Sequence, residues 1–188
     1  LLLASEHSTA ISGVALLAPA IVLAQRWVHS VSPLFPVIRP LLPVLGPRGR
    51  YIEKKNNEGD IADPKARAEN PSYRRMPLVS VHEMLKLRQA VMPQLSQIRQ
   101  PALILHSRQD HTCALDSVAV LQQALAGGVR SLILQDSYHV LSVDLDKERV
   151  AAEVGCFVEE CTTGVGTTAL RSQSAAVTPS EATIVREE

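Results

Sequence analysis

The sequence predicts an α/β fold with a mostly parallel sheet flanked by helices, and three observations carry that prediction. Two short apolar runs, Ala102–His106 and Val129–Leu134, have the length and polar boundaries of buried strands. Between them Leu115, Val118, Leu121, Gln122 and Leu125 recur at helical spacing. A third run, Gly13-Val-Ala-Leu-Leu-Ala-Pro19, is nearly all apolar, as expected of a strand covered on both faces. Each of the first two strands leads into an ionisable residue in a loop, Asp110 after one and His139 after the other. In open α/β sheets, chemistry sits just past the carboxyl ends of the strands. An acid and a histidine delivered there in this order are the back half of a Ser…Asp…His arrangement.

Composition bounds the function. The 188 residues suffice for one domain and its core. The chain is 46% hydrophobic and 20% charged with zero formal net charge, so no electrostatic footprint for nucleic acid or an anionic membrane is present. Three unevenly spaced cysteines fit reduced thiols and a cytoplasmic setting rather than a disulfide framework. Cys113 lies near Asp110 in sequence and is read as a buried structural thiol.

In chain order, Leu1–Glu6 reads as the end of a helix, with no basic n-region of a signal peptide and no run of transmembrane length. The sequence starts without Met, and a fragment is the expectation. Ser8–Ser12 is a turn. Ala20–His29 is expected to be a helix presenting Trp27 and Val28. From Ser32 to Arg50, prolines 33, 36, 40, 43 and 47 forbid a long helix or central strand. That stretch reads either as an apolar lid or as a packed irregular insertion; its apolar content argues against a proline-rich ligand. Tyr51–Arg75 is polar and reads as a surface loop with short helical turns. Leu78–Leu95 returns to helical periodicity through Val81, Met84, Leu85, Leu87 and Val91, with Pro93 breaking or capping it.

Beyond the organising stretch, Ser137 is placed to tighten the turn before His139, and Asp136 reads as a solvated acid. Asp144 and Asp146 are each able to cap a following helix, in which Val150, Val154, Phe157 and Val158 form an apolar side through Glu160. Thr162–Glu188 lacks any apolar period and reads as a disordered tail. His7, His29 and His82 are expected to be surface or packing residues. His106, Asp110, His111 and His139 invite a metal reading, but the side chains of His106 and His111 are expected to diverge.

The run Pro-Ala-Leu-Ile-Leu-His-Ser-Arg-Gln-Asp-His from residue 101, followed by Leu-Gln-Asp-Ser-Tyr-His-Val-Leu-Ser-Val-Asp and a helix ending Phe157-Val158, resembles the carboxy-terminal part of an α/β-hydrolase. The resemblance is strongest to the carboxylesterase and monoacylglycerol-lipase-like branch, including the serine aminopeptidase-like hydrolase domain. It covers about residues 1–160. It implies core segments at 1–19 and 94–161 and a cap or lid at 20–93. It also implies Asp110 and His139 as the catalytic acid and base, a small ester or acylglycerol substrate, and no cofactor or metal. The family nucleophile occupies a G-x-S-x-G elbow, which is missing from this sequence; Ser5 and Ser12 lack its context. The resemblance therefore implies a serine-type ester hydrolase whose nucleophile lies outside these residues, with this chain inactive alone. The alternative is a non-catalytic binding or interaction module on a degenerate hydrolase scaffold.

Overall fold

A computed structural model describes residues 1–25, 51–53, 59–71, 73 and 75–163. The proline-punctuated stretch and most of the expected tail lie outside the described residues. The core is a three-stranded parallel sheet of β1 (Val14–Leu17), β4 (Ala102–Ser107) and β5 (Val129–Leu134), in the order β1-β4-β5. Val14 pairs with Ala102, and Ala102 with Val129, so all three strands run together and end on one edge. The expected strands are therefore present, with β4 one residue longer than expected.

β4 is central, and all six of its residues are buried. Its alternating side chains feed two cores, as the two-residue period of a strand requires. Ala102 and Ile104 pack with Ala4 of α1 (Leu2–Glu6), Val91, Leu95, Ile98, and Val118 and Leu121 of α4 (Asp116–Ala124). Leu103 and Leu105 face the other way, onto Leu134, Leu141, and Val150 and Phe157 of α5 (Lys147–Thr163). Fully burying one such side chain stabilises by roughly 1.5–3 kcal/mol, so the strand that carries the acid loop is the best anchored in the sheet.

The remaining elements fall mostly within the expected insertion. A two-stranded antiparallel ribbon pairs β2 (Tyr51–Glu53) with β3 (Arg75–Pro77), where a loop was expected. Within that interval lies α2 (Pro64–Glu69), whose cap Asp63 accepts the Lys65 N–H and whose first residue is proline. α3 (Leu78–Val91) then runs into a 3₁₀ turn at Met92–Gln97. Pro93 falls at the start of that turn, so it changes the helix type rather than ending the segment at once.

Four expectations are corrected. Residues 20–25 of the expected Ala20–His29 helix form a turn and a bridge. Their amides bond elsewhere: Val22 N–H to Ser117 Oγ at 2.9 Å and Ala24 N–H to the Thr112 carbonyl at 3.0 Å. β1 is covered on one face only: Val14 and Leu16 pack against the first of the two cores, whereas Ala15 and Leu17 are exposed, Leu17 at 38%. In α5 Val150 and Phe157 are buried, whereas Val158 is 52% exposed, being one step around the helix from Phe157. The same helix runs to Thr163, into the expected tail.

Gly127 shows why the β4 entrance is tight. A Cβ there would lie 2.2 Å from the Gln100 carbonyl oxygen and 2.7 Å from that of Arg99. Backbone on both sides cannot rotate away. Gly127→Ala is expected to lower stability by about 1–3 kcal/mol, read as an earlier urea midpoint; an unchanged midpoint contradicts this packing.

Candidate active site

The loops leaving β4 and β5 converge because the strands are neighbours and parallel. Asp110 follows β4 in a turn held by its own carboxylate: Oδ1 accepts the Thr112 N–H at 2.8 Å and the Cys113 N–H at 2.7 Å. That leaves Oδ2, which accepts Nδ1–H of His139 at 2.8 Å across 29 residues of sequence. The carboxylate accepts only, so Nδ1 carries the proton and a neutral His139 ring has its lone pair on Nε2. The Asp110 side chain is 1% exposed and that of His139 28% exposed. The acid is thus buried, while the imidazole keeps an outward face.

Electrostatics follow from this placement. Burial alone raises the Asp110 carboxyl, but His139 and the amides of Cys113 and Thr112 outweigh it and hold the group below its ordinary 3.8. Burial alone lowers His139, but the hydrogen bond to Asp110, then the Cys113 sulfur beside the ring, push it up from 6.5 to about 10. Cys113 is fully buried and is pinned by an antiparallel bridge to Leu23. It packs with Val81 and Leu85 of α3, as a structural thiol, yet it also faces the histidine.

A set of carboxylates to which sequence reasoning gave no such role positions both loops. Asp60, within the expected insertion, accepts the His111 N–H at 3.0 Å, the His111 Nδ1–H at 2.8 Å and the Thr112 hydroxyl at 3.0 Å. Its backbone carbonyl accepts the His139 N–H at 3.1 Å. Asp144, fully buried, accepts the N–H groups of Ala62, Asp63, Tyr138 and Leu145 at 2.7–2.9 Å. Neither Asp144 nor Asp146 caps α5 with its side chain as expected. Asp146 instead accepts both the N–H and the hydroxyl of Ser137, which fixes the turn before His139 as anticipated for that serine. The Ser107 hydroxyl, ending β4, donates to the Ser137 carbonyl. A surplus of Asp in loops was the available signal; its partners are too distant in sequence to be named from spacing.

His111 turns away to Asp60 and stacks edge-on against Tyr138 at 4.6 Å, as expected of a diverging side chain. His106 does not diverge fully. It donates Nδ1–H to the Ser107 carbonyl at 2.8 Å, and its buried Nε2 lies 3.9 Å from Asp110 Oδ2 with no hydrogen-bond partner among the described residues. Among the described residues one group of potential metal ligands stands out, Asp110, Cys113 and His139, whose donor atoms lie within 4.8 Å of one another.

Two outcomes follow from this geometry. The raised His139 contributes stability that is complete below 6.5 and is lost as pH rises through about 10. The lowered Asp110 contributes stability present above 3.8 and lost on further acidification. The melting-temperature gap between wild type and Asp110→Asn is therefore expected to be largest between 3.8 and 6.5 and to shrink toward pH 10; a gap that widens with alkalinity contradicts the pairing. Separately, Asp144→Ala strands four amides and is expected to cost at least about 3 kcal/mol in urea unfolding, against less than about 0.5 kcal/mol for an ordinary surface change.

Comparison with known proteins agrees with the architecture. No curated protein sequence matches the chain. Among solved structures it is similar to one from work on LipS and LipT, two metagenome-derived lipolytic enzymes, at 18% identity and TM-score 0.68, covering 84% of this chain and 59% of the other. It is similar to the Paleococcus ferrophilus monoacylglycerol lipase at 16% identity and TM-score 0.63, covering 85% and 62%. A soluble variant of the Saccharomyces cerevisiae monoglyceride lipase gives 14% identity and TM-score 0.63, covering 83% and 58%. The chain thus spans about 60% of the length of these structures and shares their α/β-hydrolase fold. A family model described as serine aminopeptidase, S33 matches residues 1–146, and the chain belongs to that family of α/β-hydrolases.

Proposed function

We propose that this chain is the acid- and histidine-bearing part of a serine-type carboxylic ester hydrolase, of carboxylesterase or monoacylglycerol-lipase type. The observation that carries the reading is the 2.8 Å hydrogen bond from His139 Nδ1 to the buried Asp110, at the ends of adjacent parallel strands. In this reading a serine outside these residues attacks the ester carbonyl, and His139 Nε2 takes its proton. The imidazolium then returns a proton to the leaving alkoxide, and a water repeats the cycle on the acyl-enzyme. Asp110 holds the ring in the required tautomer and stabilises its charged form. The names of the lipolytic neighbours favour an acylglycerol or similar ester.

Residues 20–93 serve as the cap, and a lid role for the proline-punctuated stretch belongs to the same proposal. Three unpaired cysteines support a reducing, cytoplasmic setting. Among the described residues no helix is long and apolar enough to cross a membrane. The chain by itself is expected to be inactive.

The test compares this chain with an upstream-extended protein carrying an in-frame G-x-S-x-G, on short and medium p-nitrophenyl esters. Turnover is expected only in the extended protein. His139→Ala and Asp110→Asn are each expected to lower kcat by about 10⁴. Because the base must be neutral, the rate should rise with pH through a midpoint above 6.5, and Asp110→Asn should move that midpoint down. Turnover that survives both substitutions removes these residues from the chemistry. A folded, inert extended protein supports the non-catalytic scaffold.

A further inference from the structure

The Asp110 turn and the His139 ring enclose more than a hydrogen-bonded pair. Cys113 adds a sulfur, and the donor atoms of Asp110, Cys113 and His139 lie within 4.8 Å of one another. Carboxylate, thiolate and imidazole together are a borderline-soft donor set, the kind that selects zinc-like ions over magnesium or calcium. Metal–ligand bonds of about 2.0–2.3 Å place such donors a little over 3 Å apart, so a modest closure of this group forms three corners of a tetrahedron.

Two of the three donors are held in advance. Asp110 Oδ1 is fixed by the Thr112 and Cys113 amides, leaving Oδ2 to turn toward the site. Cys113 is tied by its bridge to Leu23 and by the adjoining hydrogen bonds Ala24 N–H to the Thr112 carbonyl and Ala114 N–H to the Val22 carbonyl. His139, with its side chain 28% exposed, is the movable donor and the route of entry. Surrounding hydrogen bonds of this kind orient metal ligands in built sites.

An independent observation points to a cation at the same carboxylate. His106 is fully buried and gives its Nδ1–H to the Ser107 carbonyl. In the neutral ring, Nε2 is then a lone pair. That lone pair lies 3.9 Å from Asp110 Oδ2 without a hydrogen-bond partner among the described residues. With the ring neutral, two acceptors face each other with no donor between them among the described residues, and a cation beside Oδ2 gives the His106 lone pair a partner.

We propose that Asp110, Cys113 and His139 form a binding site for a thiophilic divalent cation of the zinc class, with His106 Nε2 beside it, and that the bound ion holds the histidine away from proton transfer. On binding, the Cys113 thiol releases its proton, and an imidazolium at His139 releases one as well, so affinity rises with pH. The inhibitory consequence rests on the hydrolase reading above; the site itself does not.

The test titrates this chain with Co²⁺ after Cys156→Ser and Cys161→Ser have removed the other thiols. One equivalent is expected to produce a sulfur-to-cobalt charge-transfer band, and Zn²⁺ to abolish it by displacement. Cys113→Ser should eliminate the band, and His139→Ala should weaken Co²⁺ binding at least about tenfold. A missing band overturns the site, as does one that survives Cys113→Ser or keeps its affinity in His139→Ala. Where Cys113→Ser fails to fold by circular dichroism, the His139→Ala titration decides. In the extended protein, Zn²⁺ should suppress ester hydrolysis and a chelator restore it. A band without any hydrolysis overturns only the hydrolase reading. Hydrolysis through His139 without a band overturns only the metal site.

Discussion

The Asp144 carboxylate is the contact on which the geometry around His139 depends. A buried charge is tolerated only when its oxygens are filled, and four backbone amides fill these. Two of them, Ala62 and Asp63, come from a segment more than eighty residues away in the chain; the other two flank the histidine loop. Burial alone raises this carboxyl, and the four amides overcome that and keep it ionised. The charge therefore acts as a clamp with no cationic partner among the described residues. It holds residues 60–63 against the loop, and that places the Asp60 carbonyl where the His139 amide meets it.

This arrangement changes the meaning of the insertion. Asp60 lies within the proposed cap, yet its side chain holds the acid loop through His111 and Thr112 while its backbone holds the histidine loop. α3, which ends the insertion, packs Val81 and Leu85 on Cys113, the residue closing the Asp110 turn. The root of the proposed cap and the candidate active site are consequently one packed unit. A displacement of residues 60–63 reaches both Asp110 and His139 through hydrogen bonds already in place.

The contrast between what the sequence revealed and what it hid has a physical basis. The strands were legible because an apolar run such as Ala102–Leu105 can only be satisfied by burial on both faces. The pairing of Asp110 with His139 was legible because parallel neighbours must deliver their following loops to one edge. Asp60 and Asp144 were not legible. An aspartate spends its acceptors on whichever amides come near, and those partners are set by tertiary folding rather than by local spacing. The same reason defeats the capping role expected for Asp144 and Asp146: both serve more distant amides in preference to the helix beside them. Over residues 20–25 the expected Ala20–His29 helix failed likewise, because Val22 and Ala24 give their amides to Ser117 and Thr112 instead.

Orientation and basicity pull against each other at His139. The short bond to a buried carboxylate fixes the ring, and the same bond stabilises the imidazolium, so a better-held histidine is a less available base. One feature of this site limits the conflict. The Thr112 and Cys113 amides share the Asp110 charge, which weakens its pull on the ring. Cys113, a residue that reads from sequence as simple packing, works the other way: its sulfur lies against the ring and pushes the histidine further up.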